Sequence, residues 1–216
     1  MPSHVITRRS AIAGLSALSA SVLTSARAIA RAPQINTQAP AFYRFKLGAF
    51  ELTIVSDGPL GLGAPSDGIF TGVSAADFTS ILNDNYLPSA SVEMDQNMLV
   101  VNTGDRLVLI DTGDGGSKMF GPKSGRLLSN LKAAGIDPKD IDVVALTHAH
   151  PDHCWGLIAA DGTPNYPNAQ IVLTQADFDF WTDEAKAATG DMMKAMIGGT
   201  RRNLVPVRER ITFIAD

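Results

Sequence analysis

The sequence predicts a mixed α/β domain, and two observations carry that prediction. In the first half, alternating apolar segments are separated by short turn signals, as in hairpins; later, short apolar runs alternate with segments of helical periodicity. A third observation is local and chemical. Directly after one apolar run comes Thr147-His148-Ala149-His150-Pro151-Asp152-His153, three of the chain's four histidines within six positions.

The 216 residues divide unequally. Thr7-Arg8-Arg9-Ser10 supplies a twin-arginine pair, Ala11 to Thr24 is uncharged and mildly apolar, and Ala26-Arg27-Ala28 or Ala30-Arg31-Ala32 offers small residues at cleavage spacing. Residues 1–32 therefore read as a twin-arginine-type export signal, which implies a periplasmic or secreted protein. The apolar segment is too short, and too rich in Ala, Ser and Gly, to be a stable membrane anchor. Residues 33–216 remain, enough for one domain and too few for two of ordinary size.

The elements of that domain follow in order. Residues 50–55 alternate as a strand, Asp57-Gly58-Pro59 reads as its terminating turn, and Leu60 to Pro65 as a glycine-rich loop. Asn97 to Asn102 and Arg106 to Ile110 read as strands joined through Thr103-Gly104-Asp105. Ser124 to Ala134 reads as a helix, with Leu127, Leu128 and Leu131 on one face and Gly135 as its stop. Ile141 to Leu146 is an interior strand, Gln170 to Thr174 another, and Ala176 to Ala188 a helix.

The histidine cluster thus sits at the C-terminal end of a strand, where a loop can aim side chains inward. In an extended segment residues two apart face one side, so His148 and His150 can share one metal ion. Pro151 then bends the chain, which turns Asp152 and His153 toward a second ion. Imidazole nitrogen and carboxylate oxygen suit zinc, and manganese, iron or cobalt take the same ligands. Such ions lower the pKa of a bound water and neutralise a developing oxyanion, so the expected chemistry is hydrolysis, with Asp152 able to accept the proton of the attacking water.

Three other features bear on this reading. Asp111-Thr112-Gly113 matches the catalytic triplet of an aspartic protease, but that chemistry needs two carboxylates sharing a proton and leaves the histidines unexplained. Gly116 to Gly121 followed by Pro122-Lys123-Ser124 approaches a phosphate-binding loop, but Pro122 removes an amide donor and displaces the lysine. Cys154, the single cysteine, reads as a small buried residue beneath the loop. Charge excludes another class of partner. The chain has 18 Lys and Arg against 22 Asp and Glu. Four of those arginines lie in the export signal, so the mature domain carries a net charge of about minus eight, which disfavours nucleic acid and anionic membranes.

His148-Ala-His150-Pro-Asp152-His153 resembles the HxHxDH signature of the metallo-β-lactamase superfamily, which implies an αββα sandwich. Further segments resemble its methyl parathion hydrolase and lactonase-like branch: Phe42 to Gly48, Glu51-Leu52-Thr53, Ser56-Asp57-Gly58, Val101 to Gly104, Leu109 to Gly113, Phe120-Gly121-Pro122, Gly125-Arg126-Leu127 and Asn130 to Gly135. The resemblance implies a hydrolase acting on a small lactone, ester or phosphotriester, with two zinc ions per complete site. In that setting Asp111 would orient the metal loop by accepting a hydrogen bond from it, and Phe120 and Trp181 would line the substrate pocket. The superfamily completes its site with a further histidine, a bridging aspartate and a last histidine from its second half. Asp216 precedes any counterpart, and His4 lies in the export signal. The expectation is therefore a fold incomplete at its C-terminus, through truncation or through pairing with another chain as in a homodimer; truncation is favoured. The rival functional reading is a non-catalytic metal-binding fragment or scaffold.

Overall fold

Alternation between apolar and polar residues builds one face of a sheet, and the hairpins predicted for the first half form it. The computed structural model describes residues 39–66 and 68–215, so the predicted export signal lies outside the described residues. Strands β1 (Phe42–Leu47) and β2 (Phe50–Gly63) pair antiparallel, with Leu47 opposite Phe50. Strands β3 (Val92–Asn102) and β4 (Leu107–Ile110) continue the antiparallel run. Strands β5 (Val143–Ala145), β6 (Gln170–Thr174) and β7 (Ile211–Ile214) then add in parallel, so sheet order is sequence order. Parallel neighbours need crossover connections, and helices supply them: α2 (Leu127–Ala133), α3 (Pro151–Cys154), α4 (Gln175–Thr182) and α5 (Asp191–Leu204) all lie after β4. Helix α1 (Ala75–Asp84) lies earlier, between β2 and β3.

Register decides which residues reach the core. Thr53, Val100, Leu109, Val144, Ile171 and Ile211 are successive partners across the sheet, and all are buried. Against this row pack Leu127 and Leu131 of α2, Phe178 and Trp181 of α4, and Ile197 and Leu204 of α5. Each such side chain, fully buried, stabilises the fold by about 1.5–3 kcal/mol. Helix α1 forms a separate small cluster through Phe78 and Leu82 against Val92. Ser74 caps it, its hydroxyl accepting from the Asp77 amide at 3.1 Å. No described helix is long and apolar enough to cross a membrane.

The structure corrects three readings. Asp57-Gly58-Pro59 does not end a strand, and Leu60 to Gly63 is not a loop: β2 runs through both, with register shifts between Ser56 and Gly58 and between Gly61 and Gly63. Gly58 permits this because it has φ 94° and a Cβ there would stand 2.1 Å from the Lys123 carbonyl oxygen. The helix read over Ala176 to Ala188 ends at Thr182, and residues Glu184–Thr189 form a 3₁₀ turn. Asp183 separates the two because its side chain accepts from the Ala185 amide at 2.9 Å, a local bond that competes with helix continuation. Helices α1 and α5 and strand β7 were not read from the sequence.

A close backbone approach fixes the loop after α3. Gly156 donates to the Gly113 carbonyl at 3.1 Å, and a Cβ at Gly156 would fall 1.9 Å from the Thr112 carbonyl oxygen. Gly156→Ala therefore costs about 3 kcal/mol, since backbone must shift to admit the methyl. Gly198→Ala, in α5 where nothing lies within 4 Å of a Cβ, instead stabilises by up to about 1 kcal/mol. Urea midpoints of the two variants should move in opposite directions.

Candidate metal centre

The histidine loop lies where β5 ends, beside the ends of its two neighbours. Leu146 donates its amide to the Val172 carbonyl of β6 at 2.9 Å, and Asp111, one residue past β4, donates to the Ala145 carbonyl at 3.0 Å. Loops at the C-terminal ends of parallel strands converge in this way, which suits them to a site. The loop then enters α3 with His150 as N-cap and Pro151 as its first residue, where proline's missing donor costs nothing. One turn of helix brings His153 back beneath His148. Their ring centroids are 4.0 Å apart, and His148 is 4.5 Å from His150.

Asp111 organises the cluster. Its Oδ1 accepts from the Thr147 amide at 2.8 Å, and its Oδ2 accepts from the Thr147 hydroxyl and from His153 Nδ1, each at 2.8 Å. Its backbone holds φ 62°, a left-handed conformation uncommon for a non-glycine residue and one that aspartate and asparagine tolerate best. Thr147 Oγ1 has one proton, and it goes to Asp111. His148 Nδ1, 3.1 Å away, is then the donor to that oxygen, which leaves His148 Nε2 with a free lone pair. His153 likewise turns Nε2 outward, 3.2 Å from Asp152 Oδ2. Gln96 donates from β3 to the Asp152 backbone carbonyl, and its amide nitrogen is 3.3 Å from Asp152 Oδ2. Asp177 of α4 accepts from the Ala149 amide at 3.2 Å.

These contacts set the charges. Burial lowers His148 below the ordinary histidine value, and the neighbouring His153 and His150 lower it further, so its ring is neutral. Burial also opposes charge on His153, but the hydrogen bonds to Asp111 and Asp152 outweigh it and raise the group to about 9. Burial opposes the Asp152 anion, yet the bond and charge of His153 hold that carboxyl below its usual range. Cys154 is fully buried and burial pushes its thiol up, so it is a packing residue and not a nucleophile, as its position suggested.

A cleft of about 370 Å³ opens beside the cluster. His150 and Asp152 form part of its wall, and Phe120, Leu62, Met119, Met192 and Met196 form much of the rest. Phe120 is thus where a pocket residue would be. Trp181 is buried among core residues and meets His150 edge-on, with centroids 4.8 Å apart; it packs behind the histidine and does not line the cleft. Its indole is too apolar to leave the core that α4 completes. Gln96, Thr147, Asp177 and the methionines were not singled out in the sequence. Only Thr147 gave a signal, as a hydroxyl directly before the first histidine.

The donor chemistry fits a zinc ion that displaces the His153 proton: two outward imidazole nitrogens and an ionised carboxylate are then ligand types that zinc takes. Coordination is not closed, however. Among the described residues no three His, Cys, Asp or Glu side chains stand where they could hold an ion together.

Comparison with known proteins bears on the fold. Residues 92–188 match the Metallo-beta-lactamase superfamily. The beta-lactamase-like protein 2 homolog of Drosophila melanogaster is 36% identical over 76 residues, which are 35% of this chain and 24% of that protein. Among solved structures, the hydrolase AbOPH of the beta lactamase superfamily has TM-score 0.73 and 29% identity, over 83% of this chain and 62% of that one. AidC, a dizinc quorum-quenching lactonase in complex with the product N-hexanoyl-L-homoserine, has TM-score 0.71 and 30% identity, over 81% of this chain and 61% of that one. The chain therefore spans about three fifths of the length of those two structures. Strand order, crossover helices and the match over residues 92–188 together give this chain the metallo-β-lactamase fold, with the histidine cluster at the ends of its parallel strands.

Proposed function

We propose that this chain carries metal-ligating residues of a zinc-dependent hydrolase that opens a neutral lactone or ester bearing an apolar tail. The observation that carries the reading is the cleft. His150 and Asp152 share its wall with Phe120, Leu62 and three methionines, and among the described residues no lysine or arginine lines it. An anionic tail would find no side-chain counter-charge along that wall, whereas an apolar tail would be desolvated against flexible methionines. The likeness to a dizinc lactonase supports the same substrate chemistry. A phosphotriester, also neutral, belongs in the same test.

Ligands to zinc would come from His148, His150, Asp152 and His153, whose side chains would have to close around the ion as it binds. Zinc, when bound, supplies Lewis acidity and lowers the pKa of water at the site. The chain's own groups do the rest. Asp152 is ionised at neutral pH and is the residue placed to take a proton. Asp111 keeps the His153 ring in one orientation, and the apolar wall excludes water from the tail.

Zinc content after gel filtration is the first test, run with hydrolysis of a six-carbon acyl lactone and of a phosphotriester. Retention of about one to two ions per chain, abolished in His148→Ala/His153→Ala, is expected, with lactone turnover at least ~10²-fold above that variant. Equal zinc content in the wild type and the double variant would overturn the metal assignment. Phosphotriester turnover without lactone turnover would overturn the substrate class.

A further inference from the structure

Successive side chains of a strand point to opposite faces of its sheet. On one face Val100, Leu109, Val144 and Ile171 are packed beneath α2, α4 and α5. The other face presents a second row of cross-strand partners: Ile54, Leu99, Ile110, Ala145 and Val172. Val101, Val108 and Val143 repeat it alongside. None of these residues is buried, and none joins a core cluster of the described residues. The β1–β2 hairpin extends the face with Tyr43, Phe45, Leu47 and Phe50, of which Tyr43 and Leu47 are 67% and 65% exposed.

The face also lacks charge. From the Leu47–Phe50 pair to the Ser56–Asn97 pair, and across to Thr212 and Ile214 of β7, every side chain on this side is apolar or a neutral hydroxyl or amide. The charged residues of the first hairpin, Arg44, Lys46 and Glu51, alternate to the helix-covered side. The first acids on this side of β3, Asp95 and Glu93, stand past the register shift at Ser56 and Gly58, on the arm that β2 and β3 extend beyond the other strands. A patch of this breadth is rarely left in water; it marks a contact surface.

We infer that this face packs against the same face of a second copy of the chain, as a two-fold homodimer. Three features favour a copy over another partner. The chain has 22 acids against 18 bases, so its copies repel, and this face lets them meet with no like charges opposed. Two sheets pack face to face about 10 Å apart with interleaved side chains, and a two-fold interface requires the same patch on both subunits. The area is also sufficient. The seven strands, at ~4.8 Å spacing, span roughly 30 Å, and with about two to three same-face residues on each the patch covers roughly 500 Å². Two copies would bury about 1,000 Å², where specific interfaces begin. The inference is independent of the hydrolase reading.

Sedimentation equilibrium of the full chain between about 1 and 100 µM tests this. A monomer–dimer equilibrium with Kd of about 10 µM or tighter is expected. Ile54→Lys places like charges on both sides of the contact and should weaken the dimer at least ~10-fold. Tyr43→Lys, at a mostly exposed position that the fold does not need, should shift it in the same direction. Leu128→Lys, the same change on α2 in the helix layer, should leave it unaltered. Far-ultraviolet circular dichroism separates loss of the contact from loss of the fold. A wild-type chain that stays monomeric up to about 100 µM overturns the proposal, whatever then covers the face. So does a dimer that the folded face variants leave intact, or one that Leu128→Lys weakens equally.

Discussion

Replacing Asp111 with asparagine lowers zinc affinity by about 10–100-fold while leaving the fold in place. Asparagine tolerates the left-handed backbone that Asp111 adopts at φ 62°, so the exchange isolates the side chain. The carboxylate accepts three bonds, from the Thr147 amide, the Thr147 hydroxyl and His153 Nδ1. An asparagine oxygen keeps the first, but its amide group turns a donor toward two donors. Thr147 then loses its acceptor and His153 its orientation, so the ring no longer presents Nε2 beside Asp152. Isothermal titration with zinc reads the loss. An unchanged affinity would mean that Asp111 serves the strand end and not the ligand.

The same exchange has a signature in the metal-free protein. His153 is raised to about 9 when folded, against 6.5 when unfolded. Its charged form therefore contributes stability that is fully present below pH 6.5 and is lost as pH rises through 9. Removing Asp111 removes the leading hydrogen bond that opposes burial, so stability in Asp111→Asn should change less between pH 6.5 and 9 than in the wild type. Urea midpoints across that range, with the His153 ring followed by NMR, check the sign.

How much of this was legible in the sequence depended on chain distance. Elements governed by neighbouring residues were readable: the strand over Gln170–Thr174 follows from local alternation, and α2 from its leucine spacing and Gly135. The HxHxDH string gave four ligand candidates because they lie on adjacent residues. Asp111 could be named from the strand end and the resemblance, but its three bonds cross 36 to 42 positions and have no local trace. Gln96 is 56 positions from Asp152, and no spacing rule could have paired them. The turn read at Asp57-Gly58-Pro59 failed for a related reason. Turn residues also serve bulged strands, and the long pairing partner that kept β2 extended, residues 92–97 of β3, could not be seen locally.

Asp57 itself is the residue whose loss should cost the fold most. Its side chain is fully buried, and it is the common acceptor for three backbone amides: Asp114 at 3.1 Å and Gly125 at 3.2 Å on Oδ2, and Leu127 at 2.7 Å on Oδ1. Those amides belong to the loop after β4 and to the entrance of α2, so one carboxylate on β2 fastens two segments distant in sequence. Asp57→Ala strands all three donors in a dry interior, at about 1–3 kcal/mol each. The total, about 3–9 kcal/mol, rivals the whole stability of a small domain. Asp57→Asn keeps the shape and the Leu127 bond, but it turns an amide donor toward Asp114 and Gly125, so it should be destabilised by an intermediate amount. The damage should also reach the metal loop. Thr112, two residues before Asp114, donates from its amide and its hydroxyl to the His153 carbonyl, at 2.7 and 3.0 Å, so slack in that segment loosens α3 and the histidine it carries. Zinc affinity in Asp57→Asn should therefore fall even under conditions where the variant is folded. Full zinc affinity in a destabilised Asp57→Asn would show that the two loops are held independently, and that Asp57 is a fastener of the fold alone.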